Sequence, residues 1–412
     1  MRFLLFGQQK IIKLTVCYIS FSTGLTVGSK QSANQFLMLT LKNGNIKSID
    51  LSSPLWIETL QKIRHDVYQL PEYLALEANR TKTMPEAILI SEGEKIFFVP
   101  YLRRNCDEIK CDESRFPEIY DIFSPYGYPG ILLSKSAINS PGFLELAIGN
   151  FKEVLKSKGI CSAFLRLHPI LNGNFGEIFP SNTFVSNGQT VSMDLTLSES
   201  QIWAHTRKGH QSTINKCKRL GFTARTVPFE EYYDEFTAIY KETMNRVHAS
   251  ESYYFDNDYF TSLFQLGEKL HLCIVEFEEQ IICASLFFES CGIVQAHLGG
   301  TKNEFLSQSP FNLLLHHARL WAKERGNEYL HIGGGLGGST EDSLFTFKSG
   351  FSRQKHNFLT LRLISDSEKY LHLVESRAKA LNSDTNTILQ SDFFPAYRSP
   401  LLKKVEEKNS KK

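Results

Sequence analysis

A run of basic residues without any acid lies between His205 and Arg219. Guanidinium and ammonium groups bind phosphate oxygens, and an Arg beside a Lys offers one bidentate contact and one point charge. Most charge runs are solvated helix faces, so that interpretation stays open beside the functional one. We predict that Arg207 and Lys208 contact a phosphate-bearing ligand. The remaining basic residues of the run are Lys216, Lys218 and Arg219.

A cluster of glycines forms a second candidate binding element. It follows a predicted strand and precedes a predicted helix, where backbone N–H groups can bind an anion. The alternative is a turn that needs positive φ, with Asp342 as the N-cap of the next helix. We predict that the first three glycines of the cluster take part in donor binding. The cluster comprises Gly333, Gly334, Gly335, Gly337 and Gly338.

Common hydrolase and metal motifs are absent from the sequence. It contains no G-x-S-x-G and no H-E-x-x-H, and His316 and His317 are adjacent on a predicted helix, so they point in different directions. The eight cysteines include no C-x-x-C pair, and several lie within apolar runs. We therefore predict reduced thiols, a cytoplasmic protein, no metal site and no tightly bound cofactor.

The composition is that of a large globular protein. The 412 residues are 42% hydrophobic and 22% charged, which suffices for one or two cores and excludes a disordered or fibrous chain. The 46 Lys and Arg balance 44 Asp and Glu, for a formal net charge of +2. Such a balance gives no global attraction to nucleic acid, so we predict no DNA partner and only local polyanion sites.

The two ends of the chain differ from its middle. No acid precedes Asp50, and the apolar stretch from Ile11 to Gly28 is interrupted by Lys13 and several hydroxyl residues. It is too polar to cross a bilayer, and we predict a basic leader over residues 1–45 rather than a transmembrane or export segment. Residues 383–412 are polar with a Lys-rich finish, which predicts a poorly ordered tail.

Turn signals and apolar periodicity predict the order βββ-α-β-α-β from His271 onward. Ser309 and Pro310 mark the start of its long helix, and Gly326 marks the end. The first half repeats this order, with a helix that starts at Ser140-Pro141 and ends at Gly159. We predict an α/β (α+β) protein with two similar lobes over residues 46–190 and 191–382, with mixed, largely antiparallel sheets. Near the boundary, Ser198 and Gln201 form a capping box.

Three stretches resemble the FemAB family, whose members resemble two tandem acetyltransferase (GNAT) folds. The resemblance covers residues 46–382, and it implies transfer of an acyl or aminoacyl group to an amine. The family is known for attaching amino acids from aminoacyl-tRNA to peptidoglycan precursors, and it has many GNAT-like acyltransferase relatives. The stretches are Thr206–Gly221 (TRKGHQSTINKCKRLG), Tyr240–Ala249 (YKETMNRVHA) and His331–Phe351 (HIGGGLGGSTEDSLFTFKSGF).

The resemblance also implies site residues. Lys348, together with Phe347, matches the family's catalytic position, where the Lys stabilises charge at the reacting carbonyl and the donor phosphate. The alternative for Lys348 is an ordinary surface Lys on an amphipathic turn. The predicted acceptor or cleft residues, each with a structural role as its alternative, are Tyr126, Arg246, Tyr254 and His297.

The sequence departs from the family at two sites. Residues 124–130 (SPYGYPG) resemble the family's kink near the acceptor site, but the Asp that the peptidoglycan enzymes carry shortly after it is missing. There is also no Q-x-x-G-x-G phosphate loop of the kind that acetyl-CoA enzymes carry. The predicted co-substrate is thus acyl-CoA or aminoacyl-tRNA, with tRNA as a candidate partner.

The predicted acceptor is a small-molecule or precursor amine of a cell-envelope or surface polymer. Fold alone does not determine function. A non-catalytic protein that uses the twin fold to bind a nucleotide-sugar or carrier is therefore the alternative.

Overall fold

The structure is a computed structural model, and it describes residues 44–109, 116, 118–179, 183–335 and 342–399. The elements of the first half are β1 (Asn45–Asp50), α1 (Pro54–Leu60), α2 (Pro71–Thr81), β2 (Met84–Glu92), β3 (Lys95–Asn105), β4 (Tyr120–Phe123), β5 (Leu132–Leu133), α3 (Lys135–Ile138), α4 (Pro141–Ser157), β6 (Ile160–Arg166), α5 (Phe175–Ile178) and β7 (Phe184–Asp194). Those that follow are α6 (Glu199–His205), α7 (Lys208–Arg219), β8 (Thr223–Val227), α8 (Tyr233–Val247), α9 (Asn257–Ser262), β9 (Leu270–Phe277), β10 (Gln280–Ser290), β11 (Ile293–Thr301), α10 (Phe311–Glu324), β12 (Tyr329–Gly334), α11 (Ser343–Ser349), β13 (Lys355–Ile364), α12 (Ser367–Ala380) and α13 (Thr385–Leu389). Short 3-10 helices span Val67–Gln69, Asp107–Ile109, Glu230–Tyr232, Glu251–Tyr253, Leu263–Lys269, Asn303–Gln308 and Ala396–Arg398.

The strands of the described residues form one mixed sheet. Its order is β1-β2-β3-β4-β6-β13-β7-β12-β11-β10-β9-β8, with β5 paired to β3. β4 and β6 are parallel, as are β11 and β12, and the other neighbours are antiparallel. The predicted mixed, largely antiparallel α/β organisation is confirmed.

The last strand of each half completes the sheet of the other half. β7 follows β6 in the chain but pairs with β12 and β13, whereas β13 follows β12 but pairs with β6 and β7. The predicted boundary at Val191 therefore falls inside one strand. The division into lobes 46–190 and 191–382 stays a prediction, and a continuous hydrogen-bonded ladder joins them.

Helices cover both faces of the sheet. α4 buries Phe143 and Phe151 in one core of the first half, and α10 buries Leu314 and Ala318 in a matching core of the second. On the opposite face, a third core joins residues of both halves, such as Trp56 of α1 with others of α8, β9 and β10. Removing a fully buried ring such as Phe151 costs about 3–5 kcal/mol. Both faces of the sheet are thus covered by packed helices, so a binding site is expected at strand ends and loops.

The predicted helix ends are confirmed with one correction. Gly159 and Gly326 follow α4 and α10 with φ of +73° and +81°, and Ser198 forms its capping box with Gln201. Ser309 is not the N-cap of α10. It closes the preceding 3-10 turn with φ of +54°, so Pro310 becomes the N-cap and the helix starts one residue later than predicted.

The C-terminal segment packs, against expectation, as far as residue 399. The Tyr397 side chain is buried, and its hydroxyl donates a 3.0 Å hydrogen bond to the Asp121 carboxylate. Arg398 Nε donates to the same carboxylate. A buried carboxylate needs such donors. These hydrogen bonds explain why the segment up to residue 399 packs, although its polar composition predicted a poorly ordered tail. Within the described ranges, no helix combines the length and apolar character needed to span a bilayer.

Candidate active site

The parallel strands β11 and β12 separate at the candidate site. Their pairing ends where Gln295 lies opposite His331, whereas β11 continues to Thr301 and β12 to Gly334. On its other side, β12 shifts register against β7 immediately after His331. In sheets with parallel strands, ligands bind at the carboxyl ends of those strands. The end of β12 is therefore the expected position of a ligand-binding site.

Lys348 reaches this end of β12 from α11. Its Nζ donates a 2.7 Å hydrogen bond to the backbone oxygen of Gly334. Asp342 positions α11, because its Oδ1 accepts a 2.8 Å hydrogen bond from the Phe345 backbone N–H. Burial lowers the pKa of Lys348 to about 8, and the Asp342 carboxylate acts in the opposite direction. An ammonium has three donors, so hydrogen-bonding capacity remains for a ligand.

Gly333 leaves room for Lys348, and Gly334 leaves room for the backbone of β7. Gly333 has φ of +73°, and a Cβ there would lie 3.3 Å from Lys348 Nζ and 3.6 Å from the Tyr128 hydroxyl. A Cβ at Gly334 would lie 2.7 Å from the backbone oxygen of Gln189. A side chain at Gly333 would crowd Lys348, and one at Gly334 would push against β7.

The described part of the glycine run has the geometry of a turn with positive φ, followed by a helix that Asp342 caps. Gly333 has the positive φ and Asp342 caps the next helix. A Cβ at Gly335 would overlap the Asp342 side chain. Gly337 and Gly338 lie outside the described residues. Anion binding by Gly333, Gly334 and Gly335 stays a prediction.

Tyr128, rather than the predicted Tyr126, faces the end of β12. Its ring packs edge-on against His331, with 5.3 Å between ring centroids. Burial raises the pKa of the Tyr128 phenol, while Arg166 and a hydrogen bond from the Gly334 backbone lower it. The net direction is upward, so the hydroxyl stays protonated at neutral pH and can donate a hydrogen bond.

A buried polar network lies directly behind this site. Asp66 and His168 come from the first half, Gln295 and His331 come from β11 and β12, and all four are at most 1% exposed. Asp66 Oδ2 lies 2.8 Å from His168 Nε2 and accepts a 2.6 Å hydrogen bond from Gln295 Nε2. Gln295 Oε1 lies 2.6 Å from His331 Nδ1. Buried polar groups of this kind must be hydrogen-bonded to be tolerated.

The predicted phosphate contacts Arg207 and Lys208 are both exposed at the start of α7. The Arg207 backbone N–H donates a 2.7 Å hydrogen bond to the oxygen of Gly350, at the end of the helix that carries Lys348. His210 strengthens this contact, because its Nε2 lies 2.8 Å from the backbone oxygen of Phe347. The start of α7 is therefore attached to α11, and its two basic side chains are free to reach solvent or a ligand.

Phe347 lies in a packing position. Its ring contacts His210, Phe311 and Phe351, with centroid distances of 5.1, 6.3 and 5.4 Å. It belongs to the rim of the second-half core. The contacts position α11, and hence Lys348.

Tyr126 and His297 lie together in an aromatic group apart from Lys348's contacts. Their ring centroids are 5.7 Å apart, and His297 Nε2 is 2.9 Å from the Tyr259 hydroxyl. Burial lowers the pKa of His297 to about 3, with Arg80 acting in the same direction. His297 is thus a neutral, packed histidine at physiological pH.

The last two predicted residues have different surroundings. Arg246 donates a 3.0 Å hydrogen bond to the backbone oxygen of Thr301 and a second bond to Asn303, which anchors the end of β11. Tyr254 is 45% exposed and lines a cavity of about 640 Å³ with Tyr240 and Met244. The structure brings Lys348 together with Gly333 and Gly334, but it does not bring Arg246 or Tyr254 into their contacts.

Sequence reasoning missed Tyr128, Asp66 and His168, and it gave no role to His331. One signal was present: the repeat matches β6 with β12, and a histidine lies two residues beyond the end of β6 (His168) and another within β12 (His331). In the described residues, no group of three or more His, Cys, Asp or Glu side chains is placed to hold a metal ion.

Comparisons with known proteins concern the domain and the fold of this chain. Residues 204–342 match the family model described as an acetyltransferase (GNAT) domain. The match contains β11, β12 and the three predicted glycines, and it ends before Lys348. No curated protein matches the chain significantly.

Two solved structures share the fold. FemX superposes with a TM-score of 0.58 at 11% identity, over 77% of this chain and 97% of that one. A conserved protein of unknown function from Bacteroides thetaiotaomicron superposes with a TM-score of 0.50 at 10% identity, over 77% and 99% of the two chains. At such identities the likeness shows the fold alone. Residues 204–342 thus match an acetyltransferase (GNAT) domain, and the fold of the chain is similar to that of FemX.

Proposed function

We propose that this protein is an N-acyltransferase that moves an acyl group from an activated donor to an amine. The observation that carries the proposal is the Lys348 ammonium, held against Gly333 and Gly334 where β11 and β12 separate. The GNAT domain match supports acyl transfer as the class of reaction. Phe347 supports the site by packing, as its contacts with His210 and Phe351 indicate.

Acyl transfer to an amine requires stabilisation of an oxyanion and needs no covalent enzyme intermediate. The amine nitrogen forms a bond to the carbonyl carbon, and negative charge develops on the carbonyl oxygen. Lys348 supplies a positive charge for that oxygen, and the protonated Tyr128 hydroxyl supplies a further donor beside it. The bond to the leaving sulfur or oxygen then breaks, and the proton lost by the amine balances the charge of the leaving group.

The donor that we propose first is an acyl-CoA, with aminoacyl-tRNA as the second candidate. Both carry phosphates, and α7 together with its N-cap Arg207 offers five basic side chains that are all exposed: Arg207, Lys208, Lys216, Lys218 and Arg219. None of them forms an ion pair with an acid among the described residues. These unneutralised charges favour a polyanionic donor, and a tRNA carries enough phosphates to contact several of them.

The acceptor that we propose is a primary amine on a small molecule or on a precursor of a cell-envelope or surface polymer. This follows the resemblance to the FemAB family rather than any contact in the site. The family's missing Asp after residues 124–130 argues for an acceptor other than a muramyl peptide. A cytoplasmic location is proposed with it, because both donor candidates occur there.

The test is a coupled assay of donor cleavage and amine acylation by the full chain. Acetyl-CoA, longer acyl-CoAs and charged tRNAs are offered with a panel of primary amines, and Lys348→Met is compared with wild type. Lys323→Met is the matched control, because Lys323 Nζ also donates to a backbone oxygen, that of Leu195 at 2.8 Å. We expect Lys348→Met to lose turnover and Lys323→Met to keep it.

Two results would contradict the proposal. Turnover that is equal in Lys348→Met and wild type would remove Lys348 from the reaction. Donor binding without amine-dependent cleavage of any donor would favour the non-catalytic alternative, a protein that holds a nucleotide-sugar or carrier.

A further inference from the structure

The buried network behind the site determines where the hydrogens of its two histidines lie. His168 Nδ1 accepts hydrogen bonds from the backbone N–H groups of Ile170 and Leu171, at 3.1 and 3.0 Å. An imidazole nitrogen that accepts cannot carry a hydrogen, so the ring hydrogen of His168 is on Nε2. From there it donates to Asp66 Oδ2.

The Asp66 carboxylate in turn orients Gln295. Asp66 accepts from His168 and from the Val67 backbone N–H, which lies 2.7 Å from Oδ1. Gln295 must present its NH₂ group to this carboxylate, because the flipped amide would place two acceptor oxygens against each other. Its Oε1 therefore faces His331 Nδ1 at 2.6 Å.

The orientation of Gln295 determines the tautomer of His331. An amide oxygen can only accept a hydrogen bond, so the His331 Nδ1 that lies against it carries the ring hydrogen and Nε2 keeps its lone pair. His331 is 1% exposed, and Nε2 has no hydrogen-bond partner among the described residues. A buried acceptor without a partner costs free energy that a bound donor would recover.

We propose that the Nε2 lone pair of His331 accepts an N–H of the acceptor amine. This inference rests on the proposed function and assigns the amine-binding group of that site. His331 lies on β12 two residues before Gly333, and its ring packs against Tyr128, whose hydroxyl lies on the same side of Gly333 as Lys348 Nζ. The hydrogen bond holds the amine beside the group that stabilises the oxyanion.

The surroundings of His331 favour a neutral amine over an ammonium. The charged and titratable groups that face it are Lys348, His168, His356, the neutral Tyr128 phenol and, through Gln295, Asp66. Burial holds the pKa of His331 well below its usual range, and His168, His356 and Lys348 act in the same direction. The lone pair is therefore present throughout the neutral pH range, and the Lys348 charge opposes a second cation next to it.

Two substitutions separate the proposed acceptor from the rest of the ring. In His331→Asn, the amide NH₂ replaces Nδ1–H and keeps the bond to Gln295, but the Nε2 acceptor is lost. In His331→Gln, the longer amide places an oxygen near the Nε2 position. We expect His331→Asn to lower kcat/KM for the amine about 10- to 100-fold, which is the usual effect of one buried hydrogen bond, and His331→Gln to retain most of it.

The experiment uses the full chain with acetyl-CoA and a panel of primary amines. It measures kcat and KM for the amine, the Kd for acetyl-CoA and, by long-range ¹H–¹⁵N NMR, the tautomer of His331. The proposal requires the Nδ1–H tautomer and an unchanged Kd for acetyl-CoA in His331→Asn. An Nε2–H tautomer, or full amine kcat/KM in His331→Asn, overturns it while leaving acyl transfer by the wild type intact. A wild type that transfers no acyl group overturns the proposed function, and this inference with it.

Gln295→Met provides a second route if His331→Asn does not fold. Methionine has no strong acceptor for Nδ1–H, so the ring hydrogen is free to move to Nε2 and convert the acceptor into a donor. We expect a raised KM for the amine together with a changed tautomer by NMR. A changed tautomer without any effect on the amine KM would overturn the proposal.

Discussion

Lys348 should weaken the folded protein at neutral pH while serving the reaction. Its pKa falls from the ordinary 10.5 to about 8 because burial disfavours the ammonium. A change of this size corresponds to ~3 kcal/mol of destabilisation whenever the side chain is protonated in both the folded and unfolded states. Lys348→Met removes that cost and also loses the hydrogen bond to Gly334, which contributes about 1 kcal/mol. We therefore expect the variant to be more stable by about 2 kcal/mol at pH 7.

The stability difference between wild type and Lys348→Met should depend on pH. Between pH 8 and 10.5 the unfolded chain holds a proton on Lys348 that the folded chain has lost, so wild-type stability rises with pH in that window. Below pH 8 both states hold the proton and the full cost persists. The stability advantage of Lys348→Met should thus be greatest at pH 7 and shrink as pH approaches 10.

Urea unfolding of wild type, Lys348→Met and the control Lys323→Met at pH 7, 8.5 and 10 measures this directly. Turnover gives a parallel reading, because a reaction that needs the Lys348 ammonium should fall about tenfold between pH 7 and pH 9. A Lys348→Met protein that is less stable at pH 7, or a difference that does not change with pH, would refute the reasoning.

Three further predictions concern other groups. Asp66→Asn should lower the free energy of unfolding by about 3 kcal/mol. The buried Asp66 carboxylate accepts from His168 and Gln295, and an amide NH₂ group in its place cannot accept from either. An unchanged urea midpoint would contradict the network. Arg207→Ala should reduce the salt dependence of donor binding by about one phosphate contact, and an unchanged slope of log Kd against log salt would exclude that contact. The imidazole of His65 lowers the pKa of the Cys291 thiol to about 7. Cys291 should therefore react with iodoacetamide faster than the buried thiols, react more slowly as pH falls below 7, and lose its faster rate in His65→Ala. Peptide mass spectrometry after iodoacetamide treatment measures all three effects.

Local signals in the sequence were sufficient for the elements and for part of the site. Pro141 and Gly159 mark α4 because proline suits a first helical turn and glycine accepts the left-handed conformation after the last one. The same reasoning offered Asp342 as the N-cap of the helix after the glycines, and this is α11, the helix that carries Lys348. Ser309 shows the limit of such signals, since the same serine can open a helix or close the preceding turn.

Contacts between distant segments could not be predicted in this way. Asp66 and Gln295 are 229 positions apart, and neither belongs to a motif that indicates the other. Their pairing depends on β11 lying beside β12 and on the first half covering that end of the sheet. Tyr128 was missed for the same reason, because a kink rich in Gly and Pro does not indicate which of its tyrosines turns toward β12.

The sequence by itself determined the repeated order of strands and helices, most of the helix ends, the tandem GNAT likeness and the candidacy of Lys348, because each depends on residues close together in the chain or on a recognisable local pattern. The tertiary structure decided the exchange of β7 and β13 between the halves, the buried hydrogen bonds around His331 and the lowered pKa of Lys348. These depend on which side chains burial brings together and on the loss of water around them, and chain order does not encode either one locally.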